Sequence, residues 1–203
     1  MSFPVLELVD TVHSGNGWKV RLLCGYLGRS VRRRSLSIVD GDLETEDFRR
    51  INPWGQVPVL RTAEGRWLAE SGAILWYLAQ GTAFLPAERL AQAQLVQWLS
   101  FEQTQHMVNL AQPRLWVHLR QTMQPDDPRV LAWRHHGEQA LAHMERHLQS
   151  NRFFVGDGPS IADVALFPYT CMAAQGGYEL QPYPQVRGWL ARMQALPGYV
   201  PLL

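Results

Sequence analysis

The chain is short of cysteine, of excess charge and of long apolar runs, and each shortage excludes a class of protein. Of 203 residues only Cys24 and Cys171 are cysteine. They lie far apart without a CxxC spacing, so neither a disulfide framework nor a dithiol motif is at hand. Both fall inside apolar helical patterns and read as buried, reduced thiols. Nineteen basic against eighteen acidic side chains leave a net charge of +1, so no global field recruits nucleic acid or an anionic membrane. No apolar run reaches the roughly 18 residues that a membrane helix needs. The opening MSFPVLELVD has neither the basic n-region nor the long h-region of a secretion signal. The expectation is a cytoplasmic protein with no nucleic-acid and no membrane partner.

What is present is patterned in two regimes. A hydrophobic share of 46% can bury a sizeable core, and the length suits one large domain or two compact ones. Up to residue 81, strand and helix patterns alternate. Val5, Leu6, Leu8 and Val9 form a short apolar strand, closed by the polar, glycine-rich stretch 10–17. Val20, Leu23, Cys24 and Leu27 recur at helical spacing, with Gly28 as terminator. A strand is expected over 31–38, its Arg32, Arg33 and Arg34 forming a solvated edge. A short helix near 44–50 ends before Asn52-Pro53. Segments 57–61 and 66–68 read as a hairpin, and a helix starts at Glu70. This β-α-β-α-β-β-α order predicts an open mixed sheet with helices on both faces. Residues 82–87 read as a linker. From 88 to 203 strand signals largely vanish, and the pattern predicts one or two helices over 90–123 with a kink at Pro113. Further helices over 129–149, 160–174 and 185–195 complete a bundle.

Four stretches carry more specific information. They are Ser14-Gly15-Asn16-Gly17-Trp18-Lys19-Val20-Arg21, Asn52-Pro53-Trp54-Gly55-Gln56-Val57-Pro58-Val59-Leu60, Glu70-Ser71-Gly72-Ala73-Ile74-Leu75-Trp76-Tyr77-Leu78 and Ser160-Ile161-Ala162-Asp163. In this order and spacing they resemble the signatures of cytosolic glutathione S-transferases. The first is similar to the SGNCYKVR stretch of bacterial, serine-type members. The resemblance implies an α/β, thioredoxin-like glutathione-binding domain over 1–81 and an all-helical domain over 88–203 with a hydrophobic co-substrate site. It also implies glutathione as co-substrate, no metal, and a homodimer, for which stretch 97–103 resembles the interface helix of bacterial relatives.

Each stretch also has a chemical rationale. A thiol is a poor nucleophile until ionised. A hydroxyl at a helix N-terminus can donate to the thiolate, and the helix dipole favours the same charge. Ser14 sits where such a donor belongs, and Asn16 is a second candidate; a plain N-cap is the other reading of Ser14. Gly17 stands where those bacterial relatives carry cysteine, so chemistry by a protein thiol there is excluded. Val57-Pro58 resembles the family's cis-proline turn, which would offer the Val57 amide and carbonyl to the cysteinyl backbone of glutathione. Gln56 would add a side-chain contact.

Glu70 and Ser71 open a helix whose exposed N–H groups suit a carboxylate. By resemblance, the acid takes the γ-glutamyl ammonium, and the hydroxyl and its backbone N–H take the α-carboxylate. Gly41-Asp42-Leu43-Glu44 is acidic and apolar where relatives place a basic residue for the glycyl carboxylate. That departure predicts a weaker hold on glutathione, or a different thiol ligand. Ser160 and Asp163 fit a capping box and read as a folding element.

In the helical region His106 and Trp116 are the candidates for lining the co-substrate pocket, while most aromatics there read as core. His136, His143 and His147 share a helical face, but with no carboxylate or cysteine set beside them they read as solvated rather than metal-binding. The expected function is a glutathione S-transferase that activates the thiol for attack on a small, largely apolar electrophile, a detoxification chemistry. Isomerisation or peroxide reduction could use the same thiolate. The rival is a non-catalytic interaction or ligand-binding module on the same fold.

Overall fold

The computed structural model describes residues 6–37 and 40–202 and divides into two units, Met1–Gly81 with Leu196–Leu203, and Thr82–Ala195. The first unit runs β1 (Leu6–Asp10), α1 (Gly15–Tyr26), β2 (Val31–Ser35), a 3-10 turn (Asp42–Glu44), α2 (Glu46–Ile51), β3 (Val59–Arg61), β4 (Trp67–Ala69) and α3 (Ser71–Ala79). This is the order that the sequence pattern predicts. β2 ends at Ser35, short of the expected 38; Val5 and Ile38 lie outside the described residues. The sheet order is β2-β1-β3-β4, with β1 parallel to β2 and the other pairs antiparallel.

Side-chain alternation sorts the two faces of this sheet. Val9 and Val59 stand opposite one another and pack with Phe48 of α2. Leu8 and Leu60, paired on the other face, are fully buried, and α1 and α3 pack against each other.

The tail departs from the expected grouping of 88–203. Trp18 Nε1 on α1 donates to the Val200 carbonyl at 2.7 Å, and Arg21 donates to the Leu202 carbonyl at 2.8 Å. Gly25 and Gly198 approach so closely that a Cβ on either would run into the other's carbonyl oxygen. These contacts are far apart in sequence, and hydrophobic periodicity carries no signal for them.

The second unit contains α4 (Arg89–Phe101), a π-helical turn (Glu102–His106), α5 (Met107–Pro113), a second π-helical turn (Arg114–Leu119), α6 (Pro128–Leu148), α7 (Ile161–Cys171), a 3-10 turn (Ala173–Gly176) and α8 (Pro184–Gln194). Residues 82–87, expected as a linker, group with this unit; the Phe84 carbonyl accepts the Ile161 N–H at 2.9 Å. Pro113 ends α5, and the run continues as a π-helical turn instead of breaking.

Helix α7 is buried from Ile161 to Thr170, and the capping box at its start is complete. The fully buried Asp163 carboxylate accepts the N–H and O–H of Ser160, each at 2.9 Å, the Phe154 N–H at 3.1 Å and Trp189 Nε1–H at 2.9 Å. Burial pushes this carboxyl up, and the four donors pull it back.

Candidate active site

Strand register gathers the candidates of the first unit. Val9 pairs with Val59, and Val59 with Ala69. The chain after β1, before β3 and after β4 therefore lies side by side at one end of the sheet, adjacent strands being about 4.8 Å apart. Those three segments carry Ser14 and Asn16, Gln56 to Pro58, and Glu70 with Ser71. Ser35 pairs with Asp10, so the chain leaving β2 joins the same end.

Ser14 caps α1, its Oγ accepting the Gly17 N–H at 3.0 Å. The cap occupies a lone pair and leaves the hydroxyl proton to be donated elsewhere, so capping and thiol activation are compatible. No acidic residue sits within the first turn of α1 itself. Beneath the turn, the fully buried Asp10 contacts Arg33 Nε at 2.6 Å and Arg21 Nε at 3.2 Å. Burial drives the Asp10 carboxyl up against the pull of both arginines. Gly17 presses on this carboxylate: a Cβ there would lie 2.7 Å from Asp10 Cβ and Oδ2. Packing against Asp10 thus leaves no room for the cysteine that the resembling stretch carries. Asn16 Oδ1 and Thr11 Oγ1 are buried without a hydrogen-bond partner among the described residues.

The second segment is organised by Asn52, which sequence reading placed in a motif without a role. Buried, it donates through Nδ2 to the Gln56 carbonyl at 2.7 Å and accepts the Trp54 N–H at 3.2 Å. Asparagine's capacity to bond its own turn was the signal available. Val57-Pro58 is cis, as the resemblance implied, and the Gln56 side chain is exposed. No hydrogen bond from the Val57 backbone is found among the described residues.

Glu70 heads α3 with φ 69° and ψ 118°, and no side chain caps the helix. A non-glycine residue in such a conformation costs on the order of 1–3 kcal/mol and persists only where its surroundings enforce it, commonly at a ligand site. Its side chain is exposed, while Ser71 is 3% exposed with Oγ 3.5 Å from Lys19 Nζ. Sequence reading gave Lys19 no role. Where a basic residue would serve the glycyl end, Asp42 instead accepts the Ser37 N–H at 2.8 Å. A cavity of about 460 Å³ adjoins, lined by Thr11, Val12, His13, Leu36 and Asp42 among others, with no lysine or arginine in its wall.

In the helical unit the expectation for His106 is corrected. It is fully buried, 2.8 Å from Thr170 Oγ1, and the Thr170 hydroxyl donates to the Leu166 carbonyl. The ring therefore gives its Nε2–H to Thr170 and faces the interior against α7. A π-helical turn shifts the phase of the side chains within it, which a regular helical reading misses. Trp116 stays half-buried, Nε1 donating to Gln112 Oε1 at 2.8 Å, with the Arg120 guanidinium 5.0 Å from its ring. His136 and His143 line a cavity of about 500 Å³ with Arg146, whereas His147 stacks on Phe154 at 5.4 Å. Among the described residues no group of three or more His, Cys, Asp or Glu could hold a metal ion, and no helix is long and apolar enough to cross a membrane.

A thioredoxin-like mixed four-stranded sheet with helices, followed by a helical unit, defines the glutathione transferase fold. The chain matches the glutathione S-transferase N-terminal domain over residues 13–80 and the C-terminal domain over residues 127–192. A crystal structure of glutathione S-transferase from Pseudomonas fluorescens superposes with a TM-score of 0.94 at 36% identity, covering 98% of this chain and 99% of that one. Glutathione S-transferase 3 of Zea mays is 30% identical over 213 residues, covering 96% of this chain and 91% of the relative. Disulfide-bond oxidoreductase YfcG of Escherichia coli is 28% identical over 199 residues, covering 90% and 87%. The chain belongs to the glutathione S-transferase family.

Proposed function

We propose that this protein binds glutathione at the shared end of the sheet and activates its thiol for attack on a small, largely apolar electrophile. The observation that carries the reading is the register that brings the end of β1, the start of β3 and the end of β4 to one end of the sheet, where the adjoining segments carry Ser14, Val57 and Glu70-Ser71. In this reading the Ser14 hydroxyl donates to the thiolate while its oxygen caps Gly17, and the α1 dipole favours the same negative charge. Asn16 supplies a second polar contact beside the sulfur. The Val57 amide and carbonyl pair with the cysteinyl backbone, with Gln56 and Pro58 shaping that turn. Glu70 holds the γ-glutamyl ammonium; Ser71 and the start of α3 hold the α-carboxylate.

With its proton lost to solvent, the sulfur forms a bond to carbon as a leaving group departs or a strained ring opens. Holding both reactants together raises their effective concentration. Trp116 is the remaining candidate for a wall of the co-substrate pocket. A homodimer, a cytoplasmic location and a role in detoxification belong to the same proposal and rest on family membership.

The test pairs calorimetry with glutathione and a conjugation assay with an activated aryl halide. Binding together with turnover is the expected result. Absence of both heat and turnover would refute the reading and leave a non-catalytic module.

A further inference from the structure

Among nineteen lysine and arginine side chains the sequence contains a single lysine, Lys19, and it is fully buried on α1. Its Nζ lies 3.5 Å from Ser71 Oγ, at the first residue of α3. An ammonium has three donors and no acceptor, so in this contact the serine oxygen accepts. The Ser71 hydroxyl proton is thereby left for a second acceptor. The start of α3 has no side-chain cap hydrogen bond, so none of its first backbone donors is taken by a capping side chain. Ser71 N–H, Ser71 O–H and the Lys19 charge behind them form one layered anion receptor.

We propose that Lys19 is a positioning residue for ligand recognition. It fixes the Ser71 hydroxyl as a donor and backs it with a buried positive charge, so that the site selects a γ-glutamyl group for its α-carboxylate. Lys19 acts through Ser71 and does not touch the reacting sulfur. A compact ammonium suits this enclosed position, where a planar guanidinium with five fixed donors would not. The inference rests on the glutathione reading and deepens it.

The test compares glutathione with γ-aminobutyryl-cysteinyl-glycine, which lacks only that α-carboxylate. Lys19→Met is expected to raise KM for glutathione about tenfold with kcat little changed, the pattern of lost ground-state binding. The same variant should leave the analogue's KM unaltered. Lys19→Gln, which keeps a donor without the charge, should fall between. An equal loss for both peptides, or none for either, would overturn the proposal. Selective ¹⁵Nζ labelling of lysine provides a readout on the unaltered protein, because the sequence yields one lysine signal. That signal should shift with glutathione and not with the analogue; an identical response to both would refute the assignment even where no variant folds. Failure of the unaltered protein to bind either peptide would count instead against the glutathione reading itself.

Discussion

Replacing Asp163 by asparagine changes almost no volume, so its effect falls on the polar contacts of the buried carboxyl rather than on packing. Oδ1 takes the Phe154 N–H and Trp189 Nε1–H, and Oδ2 takes both donors of Ser160. An asparagine must turn its NH₂ toward one of these pairs, leaving either the Phe154 N–H and Trp189 Nε1–H facing a donor or, where the Ser160 hydroxyl turns to accept, the Ser160 N–H alone. Each stranded donor costs about 1–3 kcal/mol, so the expected loss is about 1–6 kcal/mol. Against a total stability of about 5–15 kcal/mol, that is a large fraction. With a urea m-value of about 3 kcal/mol/M, the upper end of the usual range, for a chain of 203 residues, the unfolding midpoint should fall by roughly 0.3–2 M. Asp163→Ala, which strands all four donors, should lose at least as much. Coupling can be separated by a double-mutant cycle: Trp189→Phe should cost less on the Asp163→Ala background, where the indole has already lost its acceptor, than alone. A loss below about 1 kcal/mol for Asp163→Asn would refute the idea that this carboxylate ties α7, α8 and the loop before them.

Other consequences follow from the same geometry. Gly17→Ala brings a methyl group to 2.7 Å from Asp10 and should destabilise by about 1–3 kcal/mol; an unchanged urea midpoint would contradict the close packing. Burial pushes the Cys24 thiol up to about 11, so at pH 8 about 0.1% is thiolate. Iodoacetamide labelling followed by mass spectrometry should modify Cys24 only after denaturation, and rapid native labelling would contradict its burial. Burial, aided by His143, holds His147 below the ordinary imidazole range, so the folded state favours the neutral ring. Its contribution is present above about pH 6.5 and is lost as pH falls through the lowered value. His147→Gln should therefore flatten the loss of urea midpoint between about pH 6.5 and 5, and parallel slopes would oppose that.

How far the sequence reveals this molecule depends on the range of the interaction. The strand–helix order of the first unit was legible because Leu8, Leu60 and the Leu23 helix repeat apolar residues at short, regular spacing. The candidate site was legible as motifs, since Ser14, Val57-Pro58 and Glu70-Ser71 sit at element boundaries where caps and turns restrict residue choice. What escaped depends on long-range or irregular geometry. The strap of the tail on α1 joins Trp18 to Val200 across 182 positions. The two π-helical turns change the phase within an otherwise regular helical pattern, and with it the direction of His106. Lys19 looked like one more basic residue until its contact with Ser71 brought α1 and α3 together. The positive φ of Glu70 has no composition signal, because glutamate is an ordinary residue at a helix start.

The central claim is that the end of the sheet headed by Ser14 binds glutathione and stabilises its thiolate. The direct measurement is the pKa of the bound thiol, read from thiolate ultraviolet absorbance in the unaltered protein and in Ser14→Ala. The account predicts a bound thiol that ionises well below free glutathione, and a return toward the free value in the variant with loss of turnover. A bound thiol that titrates like free glutathione, or a variant that titrates and turns over like the parent, would contradict it.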